Sequence, residues 1–389
     1  MIDKAKIFRD IDEIDGALRE VASFLHRNPE TGGQEFEAVK ILTEFLSTAS
    51  FEIQKGVAGL PTAFVGSSGD MEARPHLVFL AEYDALPEIG HACGHNLIAV
   101  AAMAAAVALS KQSPAGRVSV FGTPAEETDG GKIKMLDAGL FSSVDVAMMI
   151  HPGDCFMTHF PSLALNAFRF TFKGKSAHAA GSPQEGLNAL DAIVLMFNGI
   201  GLLRQQLPDL TRVHGIIAEG GIAPNIIPDR TVAEIYVRSQ SAVMLKEVSE
   251  RVKKCAIGAA EMTGTRVVIE DFESPNDAMI NNSILEQLFA DNLGQLGIDS
   301  IKPPGKPTGS SDLGNVSQRV PAIQPFVAIC EAGVAAHTRD FATAAASPEG
   351  FAAAMLGAKA LAMSGADLFN HPEKFEAVKL DLQRSLSLV

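Results

Sequence analysis

No stretch of the chain is apolar for long enough to cross a bilayer. The longest strongly apolar run, Leu97 to Leu109, has 13 residues, whereas a spanning helix needs about 20; the run predicts a buried helix. Met1 to Ile11 alternates charges with single apolar residues and lacks a signal-peptide core. Cysteine is scarce, and Cys93, Cys155, Cys255 and Cys330 are scattered without a paired framework, which points to a reducing compartment. Bases are outnumbered by acids, 32 against 46, for a formal net charge of −14. That balance argues against nucleic acid or an anionic membrane as the partner. A small-molecule site stays open, because one buried Arg can bind an anion inside an acidic protein. Repeats and low-complexity tracts are absent as well. The expectation is a soluble, cytoplasmic protein.

What is present is an ordinary globular composition, 47% hydrophobic and 20% charged over 389 residues, enough for two or three domains. Asp12 to His26 has helical spacing and stops at Asn28-Pro29; a second helix is predicted over Gln34–Ser47. Strands at Leu77–Ala81, Val118–Gly122 and Val144–Ile150 alternate with helices after His95 and after Gly131. This rhythm predicts an α/β fold, a mostly parallel sheet covered by helices. After Phe160 the rhythm changes. Strand Ala164–Phe172, helix Leu187–Leu207, strands Arg212–Ala218 and Thr231–Val237, helix Ala242–Met262 and strand Arg266–Glu270 follow in turn. That order is β-α-β-β-α-β, the ferredoxin-like arrangement. The first pattern then resumes with a helix near Ile284–Leu293, a strand at Ala322–Ile329 and a helix at Gly350–Met363. The reading is a discontinuous catalytic domain, residues 1–162 and 275–389, interrupted by an inserted lid domain, residues 163–274.

Three predicted strands end in metal-binding or acid/base side chains: Glu82-Tyr83-Asp84, then Glu126-Glu127, then His151. In open parallel sheets, ligand sites lie at the carboxyl ends of the strands. Between them stands His91-Ala92-Cys93-Gly94-His95-Asn96, where a thiol and an imidazole two residues apart can approach one metal centre or two adjacent ones. Taken alone, Cys-x-His reads equally well as a buried thiol and a helix-capping segment. The strand-end carboxylates and His151 tip it towards a metal. Adjacent carboxylates on an extended turn point in different directions, so one can bind metal while the other faces the substrate and moves a proton. The plain alternative for Glu126-Glu127 is a solvated acidic turn.

These residues resemble the dimetal aminoacylase and carboxypeptidase superfamily of metallopeptidases and amidohydrolases. The branch holding aminobenzoyl-glutamate hydrolase, indole-acetyl-amino-acid hydrolases and β-alanyl-lysine-type dipeptidases is the most similar. The resemblance runs nearly end to end. It includes Glu82-Tyr83-Asp84-Ala85-Leu86-Pro87, Gly90 to Asn96, Pro124-Ala125-Glu126-Glu127 and Gly174-Lys175-Ser176-Ala177-His178. It continues through Ala223-Pro224-Asn225, Gly309 to Asn315 and Ala336-His337-Thr338. It implies two divalent metal ions per subunit, Zn²⁺ or Mn²⁺, with Cys93, His95, Glu127, His151 and His337 as ligands. Glu126 matches the general base acting on a metal-activated water. Asp84 matches a strand-end acid that orients a ligand, or it is a turn residue. The resemblance also implies a homodimer through the lid, with His178 polarising the substrate carbonyl in the partner's site. Asn225 and Arg238 match lid positions that hold the substrate. Glu82 stands where most superfamily members place a metal-binding His.

The implied reaction is hydrolysis of an amide bond in an N-acyl amino acid or dipeptide-like substrate. The alternative on the same centre is hydrolytic deamination, or other C–N hydrolysis of a small amine. A cysteine hydrolase using Cys93 as nucleophile leaves Glu126, Glu127, His151 and His337 without a purpose. A non-catalytic binding module conflicts with the complete ligand set. His214 reads as structural or lid-facing, and His159 near the hinge stays undecided. His76 and His371 sit beside prolines in segments expected to be exposed, and Cys155, Cys255 and Cys330 read as buried small apolar residues.

Overall fold

Strands His76–Ala81 and Arg117–Gly122 lie side by side in parallel and are buried at every position. They are the centre of a computed structural model that describes residues 1–307 and 309–387. Among the described residues their sheet has six strands, in the order Glu52–Lys55, Phe64–Ser68, Arg117–Gly122, His76–Ala81, Val146–Met148 and Ala322–Ile323. Only Phe64–Ser68 runs against the others. The mixed α/β class and the mostly parallel sheet therefore agree with the sequence reading.

Burial on both faces explains the near-continuous apolar runs of the central strands. Leu77, Phe79 and Ala81 enter one core, with helices Lys4–Arg27, His95–Ser110 and Pro348–Asn370. Val78 and Leu80 enter the other, with Met135, Phe141, Leu313 and Val316. Helix His95–Ser110 is buried from His95 through Leu109. Its alanines leave room for close neighbours, and a Cβ on Gly365 of helix Pro348–Asn370 would stand 2.6 Å from Leu109. Pro348–Asn370 has the length and apolarity of a membrane span, yet 83% of its most apolar window is buried inside the protein.

Contacts divide the chain into two units, residues 1–161, 279–306 and 312–389 in one, and 162–278 with 307–311 in the other. The second unit has its own core under a four-stranded antiparallel sheet, ordered Arg266–Asp271, Ala164–Lys173, Arg230–Ser239 and Arg212–Glu219. Helices Ala189–Leu203 and Ala242–Thr263 pack on that sheet. Along the chain these elements run strand, helix, strand, strand, helix, strand. Gly309 and Ser310 join this unit through Leu163 N–H to the Gly309 carbonyl (2.8 Å) and Arg238 Nη1 to Ser310 Oγ (2.8 Å).

Several elements differ from their expected extents. The predicted strand Val144–Ile150 is shorter, Val146–Met148, and His151–Gly153 pairs separately with Phe326–Ala328. The predicted Ala322–Ile329 is broken likewise, at Gln324-Pro325, where proline supplies no N–H to a ladder. Helix Lys4–Arg27 begins eight residues before Asp12, capped by Asp3, whose side chain accepts the Ala5 N–H. Helix Pro372–Leu386 buries only Val378 and Leu382, too narrow a stripe to read from spacing. Cys155, Cys255 and Cys330 are half-buried.

His76 is a correction. It is 1% exposed, not on the surface. Its Nδ1 and Nε2 lie 3.0 Å from the Ser143 carbonyl and 2.8 Å from Ser119 Oγ. Burial, aided by nearby Arg117, lowers its pKa to about 4. The unfolded chain takes up this proton below about pH 6.5, and the folded chain does so only near pH 4. The contribution of neutral His76 is therefore complete above the unfolded value and is lost as pH falls towards the folded one, on the order of 3 kcal/mol in all. Urea midpoints measured between about pH 7 and pH 4.5 should fall less in His76→Asn than in the wild type; equal slopes would contradict this.

Candidate metal centre

The carboxyl ends of the central strands deliver acids into the interior. Glu82 and Asp84, directly after His76–Ala81, are each 1% exposed. After Arg117–Gly122 the chain turns at Ala125, held at φ +57°, and its N–H donates to Glu35 Oε1 at 2.8 Å. That left-handed residue sets Glu126 and Glu127 on a tight turn. Gly94, at φ +79°, separates Cys93 from His95 and opens helix His95–Ser110. A Cβ there would stand 2.7 Å from Pro152, so the Cys93 loop is pressed against the residue after His151. His337, at φ +64°, reaches the same loop through its N–H to the Ala92 carbonyl, 2.9 Å.

Hydrogen bonds fix how the imidazoles face. His95 Nδ1 lies 2.9 Å from Asp84 Oδ1, and His151 Nδ1 lies 2.8 Å from the Pro152 carbonyl. Both partners only accept, so each Nδ1 carries a proton; burial keeps His151 neutral with Nε2 as a lone pair, whereas Cys93, Asp84 and Glu82 raise His95 well above the usual imidazole range against its burial. His151 Nε2 is 3.5 Å from Cys93 Sγ, and His337 Nε2 is 3.2 Å from Glu127 Oε1.

Five of the sequence-predicted residues thus come together. The ligand atoms of Cys93, His95 and His151 lie within 4.8 Å of one another, and so do those of Cys93, Glu127 and His337. Cys93 belongs to both groups. A third group joins Glu82, His95 and Glu126. Buried polar atoms are nearly always hydrogen-bonded, but Glu82 Oε2, His95 Nε2 and Glu127 Oε1 have no such partner. Soft sulfur, imidazole and carboxylate donors converging with unused lone pairs fit a transition-metal cation.

Electrostatics separates the two adjacent glutamates. Glu126 is pushed well above the usual carboxylate range by burial and by the carboxylates of Glu82, Glu127 and Asp312. At Glu127 burial acts in the same upward direction, but contact with His337 and the nearby His95 pull it down to about 2. Burial raises the Cys93 thiol, the opposite of an activated nucleophile. Burial lowers His151, while the Glu127 contact raises His337 against its own burial.

Sequence reasoning missed Lys132, which is fully buried. Its Nζ lies 2.5 Å from Glu82 Oε1 and 2.6 Å from Asp312 Oδ1. The only local signal was its place just after the Glu126-Glu127 turn in Gly130-Gly131-Lys132. Asp312 falls within Gly309 to Asn315, where residue type alone signals no partner.

His178, Asn225 and Arg238 belong to the second unit. His178 and Asn225 sit on adjoining segments, joined by the Ala179 N–H to the Asn225 carbonyl at 3.0 Å. His178 Nδ1 accepts the N–H groups of Ala180 (3.2 Å) and Gly181 (3.0 Å), which leaves Nε2–H as a free donor. Arg238, half-buried on strand Arg230–Ser239, stands over the Tyr236 ring.

Comparison with known proteins identifies the family. Residues 78–355 match the model for peptidase family M20/M25/M40. The human Xaa-Arg dipeptidase is 38% identical over 97% of this chain and 91% of its own length. One subunit of the p-aminobenzoyl-glutamate hydrolase of Escherichia coli K12 is 34% identical over 75% of this chain and 66% of that protein. A dinuclear metal-binding peptidase of the M20 family from Bacillus subtilis has the same fold, with a TM-score of 0.69 over 92% of this chain and 99% of its own at 19% identity. The chain belongs to peptidase family M20/M25/M40 and is a hydrolase of C–N amide bonds.

Proposed function

We propose that the enzyme is a metal-dependent dipeptidase that hydrolyses dipeptides with arginine as the second residue, the class that the name of the human Xaa-Arg dipeptidase gives for that protein. The observation that carries the metal dependence is the convergence of Cys93, His95, His151, Glu127 and His337 in two triads sharing Cys93. These residues would hold two divalent ions, Zn²⁺ or Mn²⁺. Such ions polarise a scissile carbonyl and lower the pKa of a water. The free thiols suit a reducing compartment, and we place the enzyme in the cytoplasm.

Glu126 is the residue that moves the proton. Its raised proton affinity lets it accept a proton from the attacking water and hold it until the departing amine nitrogen takes it. Asp84 keeps the His95 ring oriented and, through Oδ2, accepts the Glu127 N–H at 3.1 Å. The free Nε2–H of His178 suits donation to the developing oxyanion. Asn225 and Arg238 would hold the two ends of the dipeptide, Arg238 at its carboxylate.

The second unit, residues 163–274 in the sequence reading, is proposed as a lid that pairs two subunits. Strand Arg212–Glu219 is at the sheet's edge and exposed along nearly its whole length, with Ile216 61% and Ile217 44% exposed. An exposed apolar edge strand is a template for pairing with a second chain, and a two-fold axis satisfies both edges at once.

Metal-reconstituted protein assayed on dipeptides with varied second residues should cleave those ending in Arg fastest, read as the freed amino acid. Cleavage of N-acyl glutamates in their place would move the substrate to the hydrolase class of the Escherichia coli relative. Removal of metal by a chelator should abolish turnover, and Cys93→Ser should lower metal content measured by mass spectrometry.

Glu126→Gln should lower kcat roughly a hundredfold or more while metal content stays near wild type. Loss of both ions in that variant would make Glu126 a ligand and not the base.

For the lid, His178→Ala and Glu126→Gln proteins unfolded and refolded together should regain roughly a quarter of wild-type activity. Half the dimers are then mixed, and each has one intact composite site. If mixing restores nothing, His178 does not act in its partner.

A further inference from the structure

We propose that the enzyme carries a second ligand site, away from the metal centre, that takes a free α-amino acid with an apolar side chain. The site is a cavity of about 560 Å³ between helix Lys4–Arg27, the first turn of helix His95–Ser110 and the start of helix Pro348–Asn370. All of its walls belong to the first unit. Neither the five proposed metal ligands nor Glu126 line it. Its volume lies within the range of small-molecule pockets, ~300–1,000 Å³.

Asn96 shows what the cavity lacks. It is 1% exposed, and its Nδ2 donates to the carbonyls of Ala345 (2.9 Å) and Ala22 (3.4 Å), two residues of the cavity wall. Carbonyls only accept, so the amide is held in this sense and Oδ1 is left without a hydrogen-bond partner. A buried acceptor with no partner is rare in a native protein. It calls for a donor from whatever occupies the cavity. The wall around it is firm: His26 Nε2 lies 2.8 Å from the Ala342 carbonyl, which ties helix Lys4–Arg27 to helix Arg339–Ala345.

The charged groups of the wall select the rest of the ligand. Arg27 donates from Nε to the Ser23 carbonyl at 3.1 Å and has no ion-pair partner among the described residues. Arg19 has only an exposed contact with Asp15 at 3.4 Å, and its guanidinium stands 4.3 Å over the Phe351 ring. Two guanidinium groups on one wall suit a carboxylate. Glu20 lies on the same wall, likewise without an ion pair among the described residues, and suits an ammonium. A zwitterion answers both signs, and its ammonium is the donor that Asn96 Oδ1 lacks. Leu97 and Phe351 add a buried apolar face for a side chain. The free α-amino acids with apolar side chains meet all three demands.

The test is equilibrium dialysis of the metal-loaded enzyme against radiolabelled L-leucine. Two acids of the same shape serve as competitors, 2-hydroxy-4-methylpentanoate and 4-methylpentanoate. Wild type should bind leucine, and the hydroxy acid should compete more weakly because it brings no ammonium for Glu20. The acid without any donor leaves Asn96 unpaired and should compete roughly tenfold more weakly than leucine, or worse. Arg19→Gln combined with Arg27→Gln should weaken leucine binding roughly tenfold or more. Ser23→Trp changes no charge and fills the cavity from its wall, so it should abolish this binding. Residues 19, 23 and 27 are exposed, so these variants should fold, which circular dichroism checks. If Ser23→Trp does not fold, Ala346→Trp, at another exposed point of the wall, takes its place. Leucine held at the metal centre would survive all of these substitutions, and that result would overturn the proposal. A wild type that binds no leucine would overturn it too. Competition by 4-methylpentanoate as strong as by leucine itself would overturn the amino-acid class and the part given to Asn96.

Discussion

Asp84 is the point on which the geometry of the centre depends. Its Oδ1 accepts from the His95 ring and its Oδ2 from the Glu127 backbone. One buried carboxylate at the end of a central strand therefore ties the Cys93–His95 loop to the Glu126–Glu127 turn. Neither loop is a regular element, and neither could keep a donor atom within a few tenths of an ångström unaided. The strand can, because it is buried on both faces and hydrogen-bonded on both sides. Precision in the loops is borrowed from the sheet, which is the general reason that sites in parallel sheets gather at strand ends.

The same dependence governs charge. Glu82, Asp84, Glu126, Glu127 and Asp312 crowd acids around a region whose only buried ammonium is Lys132 among the described residues. Repulsion of this kind is destabilising by itself, and natural cores avoid it unless a cation answers it. Lys132 answers one part permanently. What remains is the negative charge that the proposed divalent ions would meet.

Much of this was legible in the sequence because the signals were local. A run such as Leu77–Ala81 followed by Glu82-Tyr83-Asp84 announces both a buried strand and its functional end within eight residues. Gly94 between Cys93 and His95 announces a turn and two donors. The Lys132–Glu82–Asp312 trio could not be read in this way. Its members are separated by 50 and 180 positions, and a lysine followed by Ile-Lys-Met looks like any amphipathic helix. His76 failed for a related reason. A histidine beside proline resembles a surface turn, and the Ser119 and Ser143 groups that let it be buried come from other segments. The short strands Glu52–Lys55 and Phe64–Ser68 were not read from the sequence; both are too brief to show a period, and the second ends in Gly-Ser-Ser.

The chain order of the donors has a consequence for biosynthesis. Cys93, His95, Glu127 and His151 all precede the second unit, while His337 follows it. A nascent chain therefore carries four of the five proposed ligands through the whole synthesis of residues 162–278 before the fifth emerges. During that interval the centre offers an incomplete set of donors, thiol included, to whatever metal the cell presents. Contacts this distant in sequence also close late in folding. The proposed donor set is thus complete only after translation of the interrupting unit, when the His337 N–H can reach the Ala92 carbonyl.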